Sequence, residues 1–485
     1  MDLIGMGLVL VLYGIIFLGG LAAFRKLRSV PGVTDGSNLI LANRGIGIGM
    51  GISSLVATEV GGAFINGSAE AVYRNGLLWC IAPIGYSLSM VINACFFVRK
   101  IRENPRAHLT LIDCLQEAYG ELTGALVYLP SCLGDICWTA AVLSALGGSL
   151  EVLLGVDKRV TIVVSAVFAT AYTLLGGMYA VVYTDAIQLV LIFFGLLAAL
   201  PFALFCEHVS VFDTSLVTWT GTIQVAQVPH YLDTWMLVLL GGIPWQPYYQ
   251  RALSMKTTQQ AVVMSMMASV LSLTCLIPPV VLGITAKTWS MGTASNQTLV
   301  PDDQSDLVLP LIIYQCTPRM VTYVVMGSLS AAVMSSVDSS ILAGASYISH
   351  NIVRPLTSTK NEKHTATAFR LSVILLAVMS TVLAIHTDTV YGLWVLAGDW
   401  GFVLVFPLFL GAVHFPQHVN KFGAIGAALT GLSLRLMPGE PLFGFPGIVS
   451  VPTLDDGSPQ WPIKTATMVV TLLALITISR MKMNP

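Results

Sequence analysis

The sequence predicts an all-α membrane protein with about 13 transmembrane helices, and its composition is the first evidence. Hydrophobic residues make up 55% of the 485 positions and charged residues only 10%, while the mean hydropathy is +0.78. A soluble protein averages about 25% charged residues, because polar groups have to cover its exterior. The lipid bilayer is therefore the expected solvent. The formal net charge of -1 excludes a basic surface for nucleic acid.

Long apolar segments are the second observation. A helix that crosses the bilayer needs roughly 20 apolar residues. Segments of about this length lie near residues 3–24, 45–73, 77–98, 124–150, 159–177, 182–206, 232–252, 258–285, 319–349, 366–386, 390–413, 420–437 and 464–480. The first is too long for a signal-peptide core, so we expect it to remain as a span. The eight cysteines lie mostly in these segments, and we expect buried thiols without disulfides or a metal.

The distribution of lysine and arginine predicts the orientation. If the N-terminus is extracellular, 17 of the 24 Lys and Arg residues fall on the cytoplasmic side and 7 outside. Basic residues favour cytoplasmic loops, so we expect an extracellular N-terminus and a cytoplasmic C-terminus. The sequon at Asn296 then lies outside, where glycosylation requires it. An unused tripeptide is the alternative.

Two spans are interrupted by glycine and proline. The second contains Gly61-Gly62, and the seventh contains Gly241-Gly242-Ile243-Pro244-Trp245. Transporters with inverted repeats place their site at matched breaks of this kind. Because the breaks stand five spans apart, we expect one domain, 1–485, with a first repeat at 45–206 and a second at 232–413. The first span and the two spans within 420–480 are then peripheral. The alternative is that these glycines only permit close helix packing.

Ionisable residues inside spans are costly and mark pathways or ion sites. Glu59, Asp185 and Asp338 are the main candidates, with Asp135 and Asp399 as further ones. Asp338 lies among four serines at positions 335–340, and hydroxyl and carboxylate oxygens suit a hard cation such as sodium. Serines that bond back to their own helix are the alternative.

Four aromatic residues lie away from the membrane interfaces where Trp and Tyr usually gather. They are Tyr86, Trp138, Trp245 and Trp394. A quaternary ammonium group neither donates nor accepts a conventional hydrogen bond, and proteins hold it between aromatic faces. These residues are therefore candidates for an aromatic box, although core packing explains any one of them taken alone.

Several motifs, in order along residues 3 to 480, resemble the choline-transporting branch of the sodium/solute symporter family. They are INGSAEAVY at 65–73, APIGYSLS at 82–89, GGMYAVVYTD at 176–185, LGGIPWQ at 240–246, AAVMSSVDSSIL at 331–342 and TVYGLW at 389–394. The resemblance implies a LeuT-type core and choline uptake by alternating access, driven by Na+ and dependent on Cl-. It also implies a plasma-membrane location, with the presynaptic membrane as one setting.

The resemblance also implies roles for particular residues. Tyr86, Trp138, Trp245 and Trp394 are similar to the family's choline box. The implied sodium ligands are Ala332, Ser335, Ser336 and the backbone carbonyls of Val56 and Glu59, with Asp338 adjoining the ion.

One position departs from the family pattern. After Ala57-Thr58 the choline branch has tryptophan, whereas this sequence has Glu59. A carboxylate attracts a cation at short range and is compatible with choline. It is equally compatible with another organic cation or with altered ion coupling.

Other functions remain as alternatives. A sodium symporter for a sugar, carboxylate or other amine is one, although no cationic partner for a carboxylate is evident at mid-span. A non-transporting sensor or scaffold is another. The sequence does not predict an enzyme, because Gly-x-Ser-x-Gly, His-Glu-x-x-His and Walker motifs are absent. The oligomeric state is open.

Overall fold

The computed structural model describes residues 3–28, 41–104, 106, 108–207, 209, 219–289, 302–356, 362–454 and 457–481. Within these ranges the regular secondary structure is helical, and extended segments meet only at isolated bridges. The α-helices are α1 Leu3–Arg28, α2 Ile48–Glu59, α3 Gly62–Asn75, α4 Ala82–Ile92, α5 Val98–Arg102, α6 Ile112–Tyr119, α7 Glu121–Leu126, α8 Leu129–Leu154, α9 Lys158–Leu204, α10 Val228–Gly241, α11 Gln246–Ser254, α12 Thr258–Cys275, α13 Ile277–Lys287, α14 Val308–Cys316, α15 Arg319–Tyr347, α16 Arg354–Leu356, α17 Glu362–Ile385, α18 Val390–Trp400, α19 Phe406–His414, α20 Lys421–Leu436 and α21 Ile463–Met481.

The described residues contain eight helices long and apolar enough to cross a membrane, or nine if the bent pair α2 and α3 is one span. This confirms an all-helical membrane protein but does not confirm the count of about 13. The remaining predicted spans are helical but are not among these candidates. They correspond to α1, to the first part of α9, to the interrupted pair α10 and α11, and to α20, which has only 16 residues.

Helix α9 covers both the fifth and the sixth predicted spans. It has 47 residues, which would extend about 70 Å if straight, more than twice the thickness of the bilayer core. Thr173 contacts Asp338, and Gly195 packs against Ser328. Asp338 and Ser328 both belong to α15 and are about 15 Å apart along that helix. Their partners Thr173 and Gly195 would be about 33 Å apart if α9 were straight. Helix α9 is therefore sharply bent between Thr173 and Gly195, and its second arm, Val181–Leu204, is a candidate span.

Both predicted helix interruptions are present. Helix α2 ends at Glu59 and α3 begins at Gly62, with a bend of 48° between them. Helix α10 ends at Gly241, and α11 begins only at Gln246. The repeat relation between the two halves stays a prediction.

Contacts between helix ends separate the loops into two sets, as alternate membrane crossing requires. On one side Lys158 Nζ lies 2.6 Å from an Asp306 carboxylate oxygen. On the other side Lys100 Nζ lies 2.8 Å from His414 Nδ1, and Arg102 donates to the Ala252 carbonyl at 2.6 Å. The loops in each set are those that the predicted order of spans assigns to it.

The cysteine expectation is wrong for one pair. Cys206 follows α9, Cys316 ends α14, and the two form a disulfide across a sequence separation of 110 residues. Both fall in the set of loops predicted to be extracellular, and disulfides form in oxidising compartments. The sequence did not predict the pair because neither cysteine belongs to a spacing motif. The remaining cysteines are free thiols.

Candidate functional site

A cavity lies where the two interrupted segments meet α4, α8 and α18. It encloses about 660 Å³ between atoms, its mouth included. Its walls combine all five predicted substrate residues with small and polar groups: Glu59, Tyr86, Ser89, Met90, Tyr128, Ser131, Gly134, Asp135, Trp138, Gly241, Gly242, Pro244, Trp245, Tyr248, Trp394, Ala397, Gly398 and Gly401. The structure therefore brings the predicted substrate residues together, although a role in binding stays a prediction.

The four aromatic rings form a continuous series. The Tyr86 ring stacks on Trp394 with centroids 5.4 Å apart. Trp138 contacts Trp394 at 5.6 Å and Trp245 edge-on at 6.0 Å. Because these rings come from four different helical segments and line one cavity, core packing at separate places does not explain them. They provide several aromatic faces for a cation.

Glycines allow these walls to approach closely. A Cβ atom at Gly242 would lie 2.8 Å from the Tyr86 ring and 2.6 Å from Ser89 Oγ. At Gly241 a Cβ atom would meet the backbone carbonyl oxygen of Gly398. The Gly-Gly pair at the second interruption thus lets the backbone run directly beside α4 and α18.

Glu59 ends α2 at the first interruption, and only 3% of its surface is exposed. Ser87 Oγ donates to one carboxylate oxygen at 3.3 Å, and Ser272 Oγ donates to the other at 3.3 Å. The ion pairs found among the described residues do not include Glu59. An uncompensated buried carboxylate is unfavourable, so this wall of the cavity favours a positively charged guest.

Two further polar atoms of the cavity wall lack partners. Asp135 Oδ2 and the indole Nε1 of Trp138 have no hydrogen-bond partner in the part of the chain that the structure describes. Asp135 is 6% exposed and Trp138 is 4% exposed. Both residues lie on α8, three positions apart, so they occupy the same face of the helix.

Three of the predicted sodium residues, Val56, Ala332 and Ser336, lie at or near the first interruption. Ser336 Oγ of α15 donates to the Thr58 carbonyl at 2.9 Å, and a Cβ atom at Gly61 would collide with the Ser336 side chain. The Ala332 carbonyl oxygen would be 3.6 Å from that Cβ atom. Val56 is fully buried and lies one turn before the break. The serine-rich part of α15 therefore faces the end of α2, where hard oxygen atoms converge.

Ser335 and Asp338 point towards α9. Ser335 Oγ donates to Asp185 Oδ1 at 2.6 Å, and Thr173 Oγ1 donates to Asp338 Oδ1 at 2.9 Å. A role for either residue in holding sodium stays a prediction. Asn296 lies outside the described residues.

A buried ion pair beside Ser335 was not predicted from the sequence. Arg251 of α11 was counted among the cytoplasmic loop charges, but its side chain is fully buried and lies 3.5 Å from Asp185 Oδ2. It also donates to Ser54 Oγ at 3.2 Å and contacts Ser339. A buried cation therefore lies beside the predicted sodium residue Ser335, although Asp185 neutralises it. Its position at the predicted end of a span was the only signal that burial was possible.

Asp399, the remaining acidic candidate, belongs to a charge cluster next to the cavity wall. Arg435 Nε donates to Asp399 Oδ2 at 2.8 Å, and Lys464 Nζ lies 3.5 Å from the same oxygen. Arg435 also pairs with Glu440 at 2.5 Å. The side chain of Asp399 is thus held by cations of the protein itself.

A contact between α3 and the start of α18 lies beside the aromatic series. The carboxylate of Glu70 accepts hydrogen bonds from the Val390 and Tyr391 backbone amides, each at 3.0 Å, and from Thr389 Oγ1 at 2.7 Å. A carboxylate is favourable at this position because the N-terminus of a helix carries partial positive charge. The Tyr391 ring packs edge-on against Trp394, 6.2 Å away.

The sequence and the fold are similar to those of known transporters. Residues 39–431 match the model of the sodium:solute symporter family. The chain is 36% identical to high-affinity choline transporter 1 of Drosophila melanogaster, over 99% of this chain and 78% of that protein. It is 38% identical to high-affinity choline transporter 1 of Caenorhabditis elegans, over 99% and 85%. A Na+-coupled sialic acid symporter, solved in a substrate-bound outward-open state, shares the fold with a TM-score of 0.78 at 16% identity, over 99% and 98%.

Proposed function

Because the chain belongs to the sodium:solute symporter family, we propose that it takes up choline together with sodium by alternating access. Members of this family are transporters, so the protein is a multi-pass membrane transporter and not an enzyme. The observation that carries the choline proposal is the cavity itself. Four aromatic rings and an unpaired carboxylate surround one space, which suits an organic cation without hydrogen-bond donors on its nitrogen.

Sodium is proposed to bind between α15 and the end of α2. Its ligands are the hydroxyls of Ser335 and Ser336 and the backbone carbonyls of Val56, Glu59 and Ala332, with Asp338 nearby. Sodium at this point holds the broken helix against α15 and so completes the cavity for choline. Coupling requires sodium to bind the choline-ready state more tightly, because a ligand with equal affinity for both states shifts neither.

The cavity extends from the rings towards one side of the protein. Tyr128, just before α8, and Asp135 on α8 both precede Trp138, while Tyr248 follows Trp245 and Met90 follows Tyr86. With an extracellular N-terminus, all of them lie on the cytoplasmic side of the rings. The Glu70 contact with the start of α18 then closes the extracellular side, and we assign the structure to an inward-directed state.

Further parts of the proposal follow the family resemblance and the charge distribution. We propose thirteen spans built on two inverted repeats, a chloride requirement, glycosylation at Asn296 and insertion in the plasma membrane with a cytoplasmic C-terminus. The Cys206–Cys316 disulfide supports this orientation, because an extracellular position exposes both cysteines to an oxidising environment.

Uptake of labelled choline at increasing sodium concentration tests the proposal. We expect saturable uptake in sodium medium and strongly reduced uptake when lithium or an impermeant organic cation replaces sodium. Uptake that proceeds at an undiminished rate without sodium would reject sodium coupling. Replacing chloride by gluconate tests the chloride requirement in the same assay.

Glu59 favours a second candidate, a sodium symporter for another small organic cation. The same assay in Glu59→Trp, which restores an aromatic wall, separates the two candidates. If the native chain transports choline and the variant transports it with altered affinity, choline is the cargo. If the native chain ignores choline while Glu59→Trp acquires uptake, the cargo has changed within the family. A protein that reaches the surface, binds these cations and transports none of them would be a sensor or scaffold.

A further inference from the structure

The unpartnered atoms of α8 are unusual for buried groups. More than nine in ten buried polar groups have a hydrogen-bond partner, and leaving one unpaired is unfavourable. Asp135 Oδ2 and Trp138 Nε1 both lack a partner among the described residues, both are buried, and both belong to residues that line the cavity. By contrast, the Asp135 backbone carbonyl accepts from Thr139 Oγ1 at 2.8 Å and from Ser340 Oγ at 3.4 Å.

The two atoms are complementary in kind. The carboxylate oxygen of Asp135 accepts hydrogen bonds, whereas the indole nitrogen of Trp138 only donates. A hydroxyl group does both at one oxygen atom, so it is complementary in kind to both residues. A trimethylammonium group forms a hydrogen bond with neither, because it has no N–H and no free lone pair.

We propose that Asp135 and Trp138 form a hydroxyl-recognition subsite, in which the cargo's hydroxyl donates to Asp135 Oδ2 and accepts from Trp138 Nε1. This inference rests on the proposed function, since choline carries a hydroxyl two carbons from its ammonium nitrogen. The Trp138 ring also belongs to the aromatic series, where it contacts Trp394 and Trp245. One indole thus presents its face to the ammonium group and its N–H edge to the hydroxyl.

The two carboxylates of the cavity then have different tasks. Glu59 is held by Ser87 and Ser272, which donate to both of its oxygens, and it contributes charge to any monovalent cation. Asp135 has a free acceptor and distinguishes cations that carry a hydroxyl from those that do not. The cavity therefore selects hydroxyalkyl ammonium compounds over alkyl ammonium compounds of the same size.

Competition against uptake of labelled choline tests this subsite. The competitors are unlabelled choline and n-propyltrimethylammonium, in which a methyl group replaces the hydroxyl. Hydrogen bonds to a charged group change affinity by roughly 10- to 150-fold, and we expect wild type to prefer choline by a factor in this range. In Asp135→Leu, which removes the acceptor at similar volume, the ratio of inhibition constants should fall to within about threefold of unity.

Three further variants keep the test decisive. Glu59→Gln should weaken both competitors in parallel and leave their ratio unchanged. Leu133→Val lies on the same helix with its side chain 42% exposed, and it should behave as wild type. Asp135→Asn retains a neutral acceptor and should give an intermediate ratio, which provides the answer if Asp135→Leu fails to reach the cell surface.

The outcomes separate this inference from the proposed function. The inference is overturned if wild type transports choline but does not discriminate between choline and n-propyltrimethylammonium. It is also overturned if Asp135→Leu or Asp135→Asn discriminates between them as well as wild type does. In either case an ordered water fills the site, and choline transport stands. If wild type shows no sodium-dependent choline uptake, the proposed function fails and the inference fails with it.

Discussion

The buried ion pair between Arg251 and Asp185 leads to the sharpest prediction about stability. Both side chains are completely inaccessible, and the pair lies beside the serines that face the broken helix. Neutralising one partner leaves the other charge buried without compensation. We consider Arg251→Gln and Asp185→Asn, each of which removes the charge but keeps hydrogen-bonding atoms of similar size.

The expected loss in the free energy of unfolding follows from the contacts that Arg251 and Asp185 make. Arg251 donates to Ser54 Oγ and the Pro247 carbonyl, each at 3.2 Å, besides its ion pair, and Asp185 accepts from Ser54 at 2.5 Å and Ser335 at 2.6 Å. Breaking a buried pair by removing one partner typically lowers the free energy of unfolding by roughly 3 to 5 kcal/mol. Removing both charges avoids the uncompensated ion, so the double variant should be less destabilised than the sum of the single variants by about 0.5 to 3 kcal/mol.

The assay is a double-mutant cycle on purified protein in mixed micelles. The free energy of unfolding is measured for wild type, the two single variants and the double variant as the fraction of denaturing detergent increases. Arg99→Gln is the matched control, because the one side-chain hydrogen bond of Arg99 within the described ranges is an exposed one to Gln259, and its loss should change stability by less than about 1 kcal/mol. Destabilisations that simply add in the double variant would refute the reasoning, since they would show that the two charges do not compensate each other.

Three other predictions concern the interruption, the disulfide and the closing contact. Gly61→Ala forces Ser336 of α15 to move, which costs about 1 to 3 kcal/mol and should lower the apparent sodium affinity of uptake by roughly 5- to 150-fold. Gly49→Ala is the control, because there is open space around its Cβ, and it should leave the sodium affinity unchanged. Equal effects of the two variants would contradict the assigned contact between Gly61 and Ser336. Replacing Cys206 or Cys316 by serine should abolish the mobility shift on non-reducing gels and lower the free energy of unfolding by about 4 kcal/mol; an unchanged gel pattern would show that the disulfide does not form. Glu70→Gln removes a charge from the N-terminus of α18. In a background with Ser89→Cys in the cavity wall, it should increase the rate at which an extracellular thiol reagent labels that cysteine by roughly 2- to 30-fold, for a loss of about 0.3 to 2 kcal/mol. An unchanged labelling rate would mean that this contact does not close the site.

The aromatic residues show how far sequence reasoning reaches into the site. Tyr86, Trp138, Trp245 and Trp394 were predicted to share a site because they lie within spans and away from the interfaces, and all four line one cavity. Asp135 was only a minor candidate, because its importance comes from lacking a hydrogen-bond partner. That property depends on every neighbouring helix and has no signature in the local sequence.

The sequence by itself determined the membrane environment, the helical class and the positions of the two interruptions. These properties are local: the length of an apolar segment decides whether it can cross the bilayer, and glycine and proline decide where a helix ends. Only the tertiary structure decided that α9 bends back against α15, that Arg251 pairs with Asp185 and that Cys206 meets Cys316. Each of these contacts joins residues more than 60 positions apart, and such partners are chosen by how whole helices pack, which a local pattern does not encode.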